Sequence, residues 1–526
     1  MDEFYTQPRQ KEDKTGNLRL QMPLFDRTLT SEVTGDFSLP DYQPEIKRLL
    51  RVSATLQPPT HYIGGGSAEF SGVVDFCMLY AGNDGQLYCF PASSEYSFRL
   101  PMEAGAEFDL GDAPVCYAMC EAESMSGRVG GPRRMSVRCR IRARVRAHAT
   151  YLLEEKRKGQ LPAGCGEERL WREIDYPHSV CGTSRPIALH DEIGMESELG
   201  AGEWRIVCAD AQIRVEEVVP AGGRVTAKGE ALLKLLLQND GTDALPVTVW
   251  RKLPFEGAIP VEAMTPAGEA IVEGCCTELN LSMEDDRVLC DADVVLTARA
   301  TVQQTLAYTS DWYATGCESS CVTTPLTLPH TERLIHTALT QSESRALEEL
   351  GIALDACVAD VSGVARVDGL DIDRGRYVLT GKCRYTLILR SADGEMMTKE
   401  IELPWRYVAD GTAATEHPLY EADANLLSAR VRMDGERLAI DGEIGLDAGV
   451  WSEQSVEAVS TLQVGEALSQ APGEMVLCYP DREDTLWSVG KRYHRPIDAL
   501  VAGNGLGDER RADDKRSLSD VRVIAI

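Results

Sequence analysis

The sequence predicts a mainly β protein: three tandem β-rich units, each a sandwich or curved sheet, followed by a small strand–helix–helix–strand module. One observation is a punctuation pattern that recurs three times along the 526 residues. A second is the alternation of apolar and polar residues between those marks, with the period of a half-buried strand. The third is a change of texture after Met475, where two helix start signals fall within one short stretch.

The recurring pattern opens on a glycine (Gly72, Gly229, Gly381) that begins an apolar run. An Asp-Gly step follows 12, 11 and 12 residues later, at Asp84-Gly85, Asp240-Gly241 and Asp393-Gly394. Asp-Gly between such runs predicts a tight hairpin, because a type I′ turn requires positive φ at both central residues. Next come Leu100-Pro101, Leu253-Pro254 and Leu403-Pro404, read as strand ends, and 33 residues after each proline an arginine opens a further strand (Arg134, Arg287, Arg437). A second hairpin is expected in each unit; in the third it runs through Leu426–Val431, turns at Asp434-Gly435 and returns over Leu438–Ile444. The resulting boundaries are 1–34 for a flexible N-terminal segment, 35–165, 170–328 and 331–466 for the three units, and 474–526 for the tail. Glu154 to Glu168, with its Lys-Arg-Lys and Pro-Ala-Gly, reads as a second mobile segment.

Alternation is sharpest where Val137, Cys139, Ile141, Ala143 and Val145 interleave with Arg138, Arg140, Arg142, Arg144 and Arg146. Five arginines on one strand face allow two readings. One is a basic docking face for an acidic partner or anionic lipid head groups. The other is a solvated face neutralised by acidic strands nearby, including strands of another unit. The matching positions hold Asp291 and Asp293 in the second unit and Asp441 and Glu443 in the third.

Charge and motifs narrow the function. Acidic residues outnumber basic ones 83 to 54, a net charge of −29, which disfavours nucleic acid, whose binding rests on neutralising phosphates. The N-terminus shows no basic stretch followed by an apolar one, and the apolar block Ala231–Leu237 falls far short of the ~20 residues that cross a bilayer. No transmembrane segment is expected, and a cytosolic setting would keep the sixteen cysteines as thiols. Cys116 with Cys120, Cys317 with Cys321, and the adjacent Cys275 and Cys276 do not form paired zinc clusters. No metal, cofactor or catalytic residue is assigned: there is no nucleophile elbow, P-loop or dinucleotide fingerprint. The acidic pairs Glu348-Glu349 and Asp285-Asp286 read as surface.

In the tail, Met475–Tyr479 predicts a strand, Asp484 or Thr485 an N-cap for a helix from Leu486, and Pro496 the start of a second helix ending at Asn504-Gly505. Val521–Ile526 predicts the closing strand. Residues 475–526 carry nine basic and nine acidic side chains, so the excess acid lies in the preceding body. The clustered Lys491, Arg492, His494 and Arg495 read as an electrostatic docking patch or as a solvated charge run.

These tail residues (Asp484-Thr485-Leu486-Trp487-Ser488-Val489, Lys491-Arg492-Tyr493, Pro496-Ile497-Asp498, Leu500, Asn504) resemble the LysM domain. That resemblance implies binding of N-acetylglucosamine polymers, or of protein, in a shallow groove between two loops. Here those loops are Pro480 to Thr485 and Asn504 to Leu506, which makes Asp481, Arg482, Glu483, Asp484, Thr485, Asn504, Gly505 and Leu506 the candidate contacts. Leu486, Trp487, Tyr493 and Leu500 are expected in the tail core, so that loss of Trp487 would unfold it. Glu483 stands where the family has a glycine, and both ligand classes stay open. Leu39-Pro40-Asp41-Tyr42-Gln43-Pro44-Glu45-Ile46 with Leu49-Leu50-Arg51-Val52 resembles the SPOCS domain. Three such units before one LysM module resemble the SipL-like spore coat morphogenetic proteins of endospore-forming bacteria. Membership would imply a non-enzymatic scaffold in the mother-cell cytoplasm at the forespore surface. Its partner would be stage IV sporulation protein A, the ATPase of the coat basement layer. The alternative is a cell-wall protein recognising peptidoglycan amino sugars.

Overall fold

The computed structural model describes residues 17–469, 476–506 and 516–526, apart from 65, 103–104, 106–107, 112, 195–198, 200–202, 241–244 and 285–286. The protein is mainly β, built from several separate antiparallel sheets with a small helix-containing region at the C-terminus. The first module holds β1 (Leu18–Ser38), β2 (Ile46–Leu56), β3 (Thr60–Gly64), β4 (Ser67–Gly82), β5 (Leu87–Pro101), β6 (Phe108–Asp109), β7 (Val115–Gly131) and β8 (Arg134–Leu153). After the short β9 (Lys156–Lys158), the second module holds β10 (Gly166–Thr183), β11 (Ile187–Gly194), β12 (Trp204–Ala221), β13 (Arg224–Asn239), β14 (Val247–Pro260), β15 (Glu269–Glu284) and β16 (Arg287–Thr315). The third holds β17 (Cys317–Ala346), the one-turn α1 (Leu347–Leu350), β18 (Cys357–Asp373), β19 (Arg376–Arg390), β20 (Met396–Val408), β21 (Leu419–Asp434) and β22 (Arg437–Ala467). The tail is β23 (Leu477–Cys478), α2 (Leu486–Tyr493), α3 (Ile497–Asn504) and β24 (Ile524–Ala525).

One strand order recurs. In each module the last strand (β8, β16, β22) is the centre of a sheet, flanked by the module's first strand and its penultimate one. A second sheet places the glycine-bearing strand (β4, β13, β19) between its two neighbours in sequence. Both sheets of a module line one hydrophobic core. Arg134, Arg287 and Arg437 are the first residues of the three central strands. Gly72, Gly229 and Gly381 lie opposite Tyr96, Phe255 and Trp405. A Cβ at Gly229 or Gly381 would fall 1.9 or 2.0 Å from the carbonyl oxygen of Arg214 or Arg366, so close approach of backbone and ring requires glycine there.

Several expectations need correction. The turns at Asp84-Gly85 and Asp393-Gly394 are not type I′, since only the glycines have positive φ (80° and 83°). Each is a tight turn, closed by Gly85 N to Gly82 O and Gly394 N to Ser391 O at 3.0 and 2.9 Å, with the glycine supplying the left-handed residue of a bulge. Gly241 lies outside the described residues, as do Asp285, Asp286 and Met475. The Leu-Pro steps of the second and third modules do not end strands. Pro254 and Pro404 sit inside β14 and β20, which tolerate them as sheet edges because an outward-facing N–H is dispensable there. Leu100-Pro101 does end β5, but it lies at a different register, opposite Ala68 and Ser67.

Segment 1–34 is not flexible over its described part beyond Asn17: Leu18–Thr34 belongs to β1 and runs the length of β8. Its register lets Asp26 and Glu32 neutralise arginines of β8. The segment Glu154–Glu168 is also held, because Lys156–Lys158 pairs in parallel with Thr461–Gln463 of β22. Beside it, Arg169 clasps Glu155 through two hydrogen bonds of 2.6 and 2.8 Å.

The three modules meet at a common junction. Each has a bulge at the same place, between Leu49 and Arg51, Ile206 and Cys208, and Val358 and Asp360. A bulge re-aims a side chain out of the alternation. Here the extra residues Leu50, Val207 and Ala359 turn toward each other and pack with Leu79, Leu236 and Ile388 in one apolar cluster. Those last three each follow the recurrent glycine by seven residues. The positions after the bulge also meet: Arg51 Nη1 donates to Asp360 Oδ2 at 2.5 Å and Arg51 Nη2 to Cys208 Sγ at 3.8 Å. A second apolar cluster joins Leu20, Tyr308 and Leu328, again one residue or more from every module.

Candidate binding sites on the tail and at the module junction

The tail folds from its own capping residues. Thr485 caps α2 in a reciprocal box, accepting from Ser488 N at 3.2 Å while its own N–H donates to Ser488 Oγ at 2.9 Å. Asp484, buried, accepts from Ser488 Oγ, from the Asp481 N–H and from Arg492 at 3.0, 3.0 and 2.6 Å. Those donors and the Arg492 charge outweigh burial and hold its carboxyl below the usual range. Asn504 Nδ2 donates to Leu500 O and Ala525 O, each at 2.9 Å, and its Oδ1 accepts from Ala525 N at 2.7 Å. Gly505 ends α3 with φ of 63°, and Leu506 packs on the tail core. The closing strand is shorter than expected, only Ile524–Ala525, because the chain turns at Ser519-Asp520 and bends at Arg522 after placing Leu518 in the core.

Of the eight candidate contacts, then, Asp484, Thr485 and Asn504 are occupied in holding the fold together. Gly505 shapes a helix end. Asp481, Arg482 and Glu483 face solvent, beside the Tyr479 ring, which is 72% exposed. Tyr479 is a contact candidate the sequence reading missed; its signal was an aromatic one residue past a two-residue strand.

The opposite face of the tail is docked on the body. Trp487 Nε1 donates to Asp311 Oδ2 at 2.8 Å and Lys491 Nζ to Asp311 Oδ1 at 2.5 Å. Tyr313 OH donates to Arg495 O at 2.8 Å, and the rings of Tyr313 and Trp487 meet edge to face at 5.0 Å. The Ile497 N–H, at the start of α3, donates to Glu168 Oε1 at 3.1 Å. The basic cluster therefore serves the molecule internally: Lys491 pairs with Asp311 and Arg492 with Asp484. Trp487 stands at the rim of the tail core rather than in it. Trp487→Ala is expected to leave α2 and α3 folded on Leu486, Val489, Leu500 and Ile524 but to release the tail from the body. Hydrogen exchange of the full chain checks this: faster exchange around Tyr313 with protected helix amides is the expected result.

The arginine face of β8 is neutralised by acids, as in the second reading. Arg138 pairs with Glu32 at 3.3 Å, Arg140 with Glu123 at 2.8 Å, Arg142 with Glu121, and Arg144 with Asp26 at 3.0 Å. Arg146, buried, contacts Asp26 at 2.6 Å and Glu421 of the third module at 3.0 Å. Arg299 of the second module, twelve residues into β16 as Arg146 is into β8, donates to the other oxygen of Glu421 at 3.0 Å and also pairs with Glu273.

Between the modules lies a cavity of about 1120 Å³ with walls from all three. Eleven carboxylates and five lysine or arginine side chains line it, so its field is negative and unsuited to a polyanion. Asp423, within it, is pushed up to about 7 by burial, then by Glu273, Glu121 and Asp447, with Arg299 opposing. Unfolded aspartate titrates near ~3.9, so the neutral acid favours the fold at low pH, and that advantage is lost as pH rises from about 4 through about 7. Asp423→Asn is expected to match the wild type at pH 4 and to exceed it in urea midpoint at pH 8. Among the described residues no group of three or more His, Cys, Asp or Glu is arranged to hold a metal ion, and no helix is long and apolar enough to cross a membrane.

Compared with protein-family models, with curated proteins and with solved structures, the chain finds no match in any of the three.

Proposed function

We propose that this chain is a non-enzymatic scaffold of endospore coat assembly, with three SPOCS-type β-sandwich units as a rigid body and a LysM-type tail as its hook. The hook grips the basement-layer ATPase, stage IV sporulation protein A, in the mother-cell cytoplasm at the forespore surface. The observation that carries this reading is the division of labour in the tail. One face is anchored to the body through Asp311, Tyr313 and Glu168, while the loop Asp481-Arg482-Glu483 presents three charged side chains to solvent. Charged, exposed loop residues suit a protein partner with complementary charge, which sets encounter rate and register. A tether with several contacts also gains from effective concentration once one contact is made.

The exposed Tyr479 ring favours a second reading, since a flat aromatic face is a platform for an amino sugar. The full chain carrying Arg482→Glu with Glu483→Lys distinguishes the two. In the first reading its capture by the immobilised ATPase falls at least about tenfold, the equivalent of 1.4 kcal/mol, with an unchanged melting temperature. Undiminished capture, or sedimentation of the wild type with peptidoglycan sacculi but not with the ATPase, would overturn it.

A further inference from the structure

We propose that Cys165 and Cys317 form an oxidation site, a thiol pair that closes into a disulfide and thereby locks the platform on which the tail sits. The β10–β16 ladder ends at Gly166 opposite Thr315, which brings Cys165 alongside the Gly316-Cys317 step. The two thiols lie close enough for each to act on the other. A Cβ at Gly316 would stand 3.3 Å from Cys165 Sγ, and both cysteines join one apolar patch with Trp312, Val459 and Leu462. A disulfide forms only between cysteines whose backbones are near neighbours, and the register sets Cys165 beside the residue that precedes Cys317.

The pair is asymmetric in access. Cys317 is buried, whereas Cys165 is partly exposed at the end of a surface turn, so an oxidant reaches Cys165 first. The thiolate of Cys165 attacks one sulfur of a low-molecular-mass disulfide; that S–S bond breaks and one small thiolate leaves. The Cys317 thiol gives its proton to that thiolate and attacks the Cys165 sulfur, expelling the second small thiolate, which takes up the proton that Cys165 had released to water. Two protein thiols are oxidised and one small disulfide is reduced to two thiols. A second pair of cysteines, Cys77 and Cys208, shares a small cavity at the module junction. Despite Cys208, the Cys89 contact and burial push the Cys77 thiol up to about 12, and burial raises Cys317 too, so what sets the first pair apart is the position of Cys165 at a surface turn.

The consequence for the tail follows from Gly316. Its N–H donates to His494 O at 2.9 Å and its carbonyl accepts from Leu468 N at 2.9 Å. The adjacent Ala314 O lies 3.1 Å from His494 Nδ1. The end of α2 and the chain leaving β22 therefore hang from the step that the disulfide would fix.

The test uses the full chain treated with oxidised glutathione, alkylated, digested and analysed by mass spectrometry. A Cys165–Cys317 linked peptide is expected to dominate over every other pair, to vanish on reduction, and to be absent from Cys165→Ser. Hydrogen exchange across residues 486–494 is expected to slow several-fold in the oxidised wild type and not in treated Cys165→Ser. Recovery of both cysteines alkylated after oxidation would overturn the site, and a linked protein whose tail exchanges at the reduced rate would overturn the latch. Both readings come from the wild-type protein, so neither depends on the variant folding.

Discussion

Asp360→Ala is expected to cost the body about 3–5 kcal/mol, because it leaves two buried cations without their anion. Asp360 is wholly buried, and the third module lends it to the other two. Arg51 of the first reaches one oxygen at 2.5 Å and Lys234 of the second the other at 2.5 Å. Lys234 sits in the middle of β13, whose Ala231–Asn239 stretch is buried on both faces, so its ammonium is largely withdrawn from water. Burial raises the Asp360 carboxyl, but Lys234 and Arg51 outweigh it and hold the group below its ordinary value. A depressed carboxylate stabilises the fold above the unfolded pKa of ~3.9, and the contribution is lost as pH falls through the folded value. Urea denaturation checks both statements: Asp360→Ala should lower the midpoint at pH 7 and reduce the wild type's loss of stability in acid. The combined Arg51→Met, Lys234→Met, Asp360→Leu variant should regain much of the loss, since hydrophobic groups of similar volume commonly replace a buried ion cluster without penalty. A midpoint for Asp360→Ala equal to that of the wild type would refute the role assigned to the triad.

Glu421→Gln is the second large effect expected, about 1–3 kcal/mol, the cost of removing one partner from a buried hydrogen-bonded group. Each oxygen of this carboxylate takes an arginine from a different module, Arg146 Nη1 at 3.0 Å and Arg299 Nη1 at 3.0 Å. Tyr117 OH lies on the same carboxylate at 3.3 Å and accepts from Arg146 at 2.9 Å. The amide keeps the shape but removes the charge that two buried guanidiniums share. Asp26 remains for Arg146 and Glu273 for Arg299, so the third module should loosen from the first and second before any single module unfolds. A biphasic denaturation profile in place of a single transition is the observable, with calorimetry to resolve the two steps. One cooperative transition at the wild-type midpoint would exclude this.

How far the sequence was readable depended on the range of the interaction. Strand positions were legible because alternation reports burial of one face, and that is local: the arginines opening β8, β16 and β22 and the caps of α2 and α3 were found on their own residues. Leu-Pro as a strand terminator failed in two modules, because whether proline is tolerated depends on whether the strand is an edge, a fact about the partner strand. β1 reads as a flexible segment because its mixed polarity hides a strand whose outward face is matched to β8. Pro480 to Asp484 connects β23 to α2 and Asn504 ends α3, yet Asp484, Thr485 and Asn504 are held by the tail's own backbone and side chains, leaving Asp481, Arg482, Glu483 and the overlooked Tyr479 at the surface.

By itself the amino-acid order determined that the chain is mainly β, with a helix pair near the end, since strand period, turn residues and caps are decided by neighbours in sequence. Only the tertiary structure decided that the three modules close on a shared junction and that the tail rests on Asp311. Leu50, Val207 and Ala359 look like unremarkable strand residues until a bulge turns each of them inward. Arg51, Lys234 and Asp360 are separated by more than a hundred residues at each step. A buried charge declares its partner only when the fold has removed the water between them.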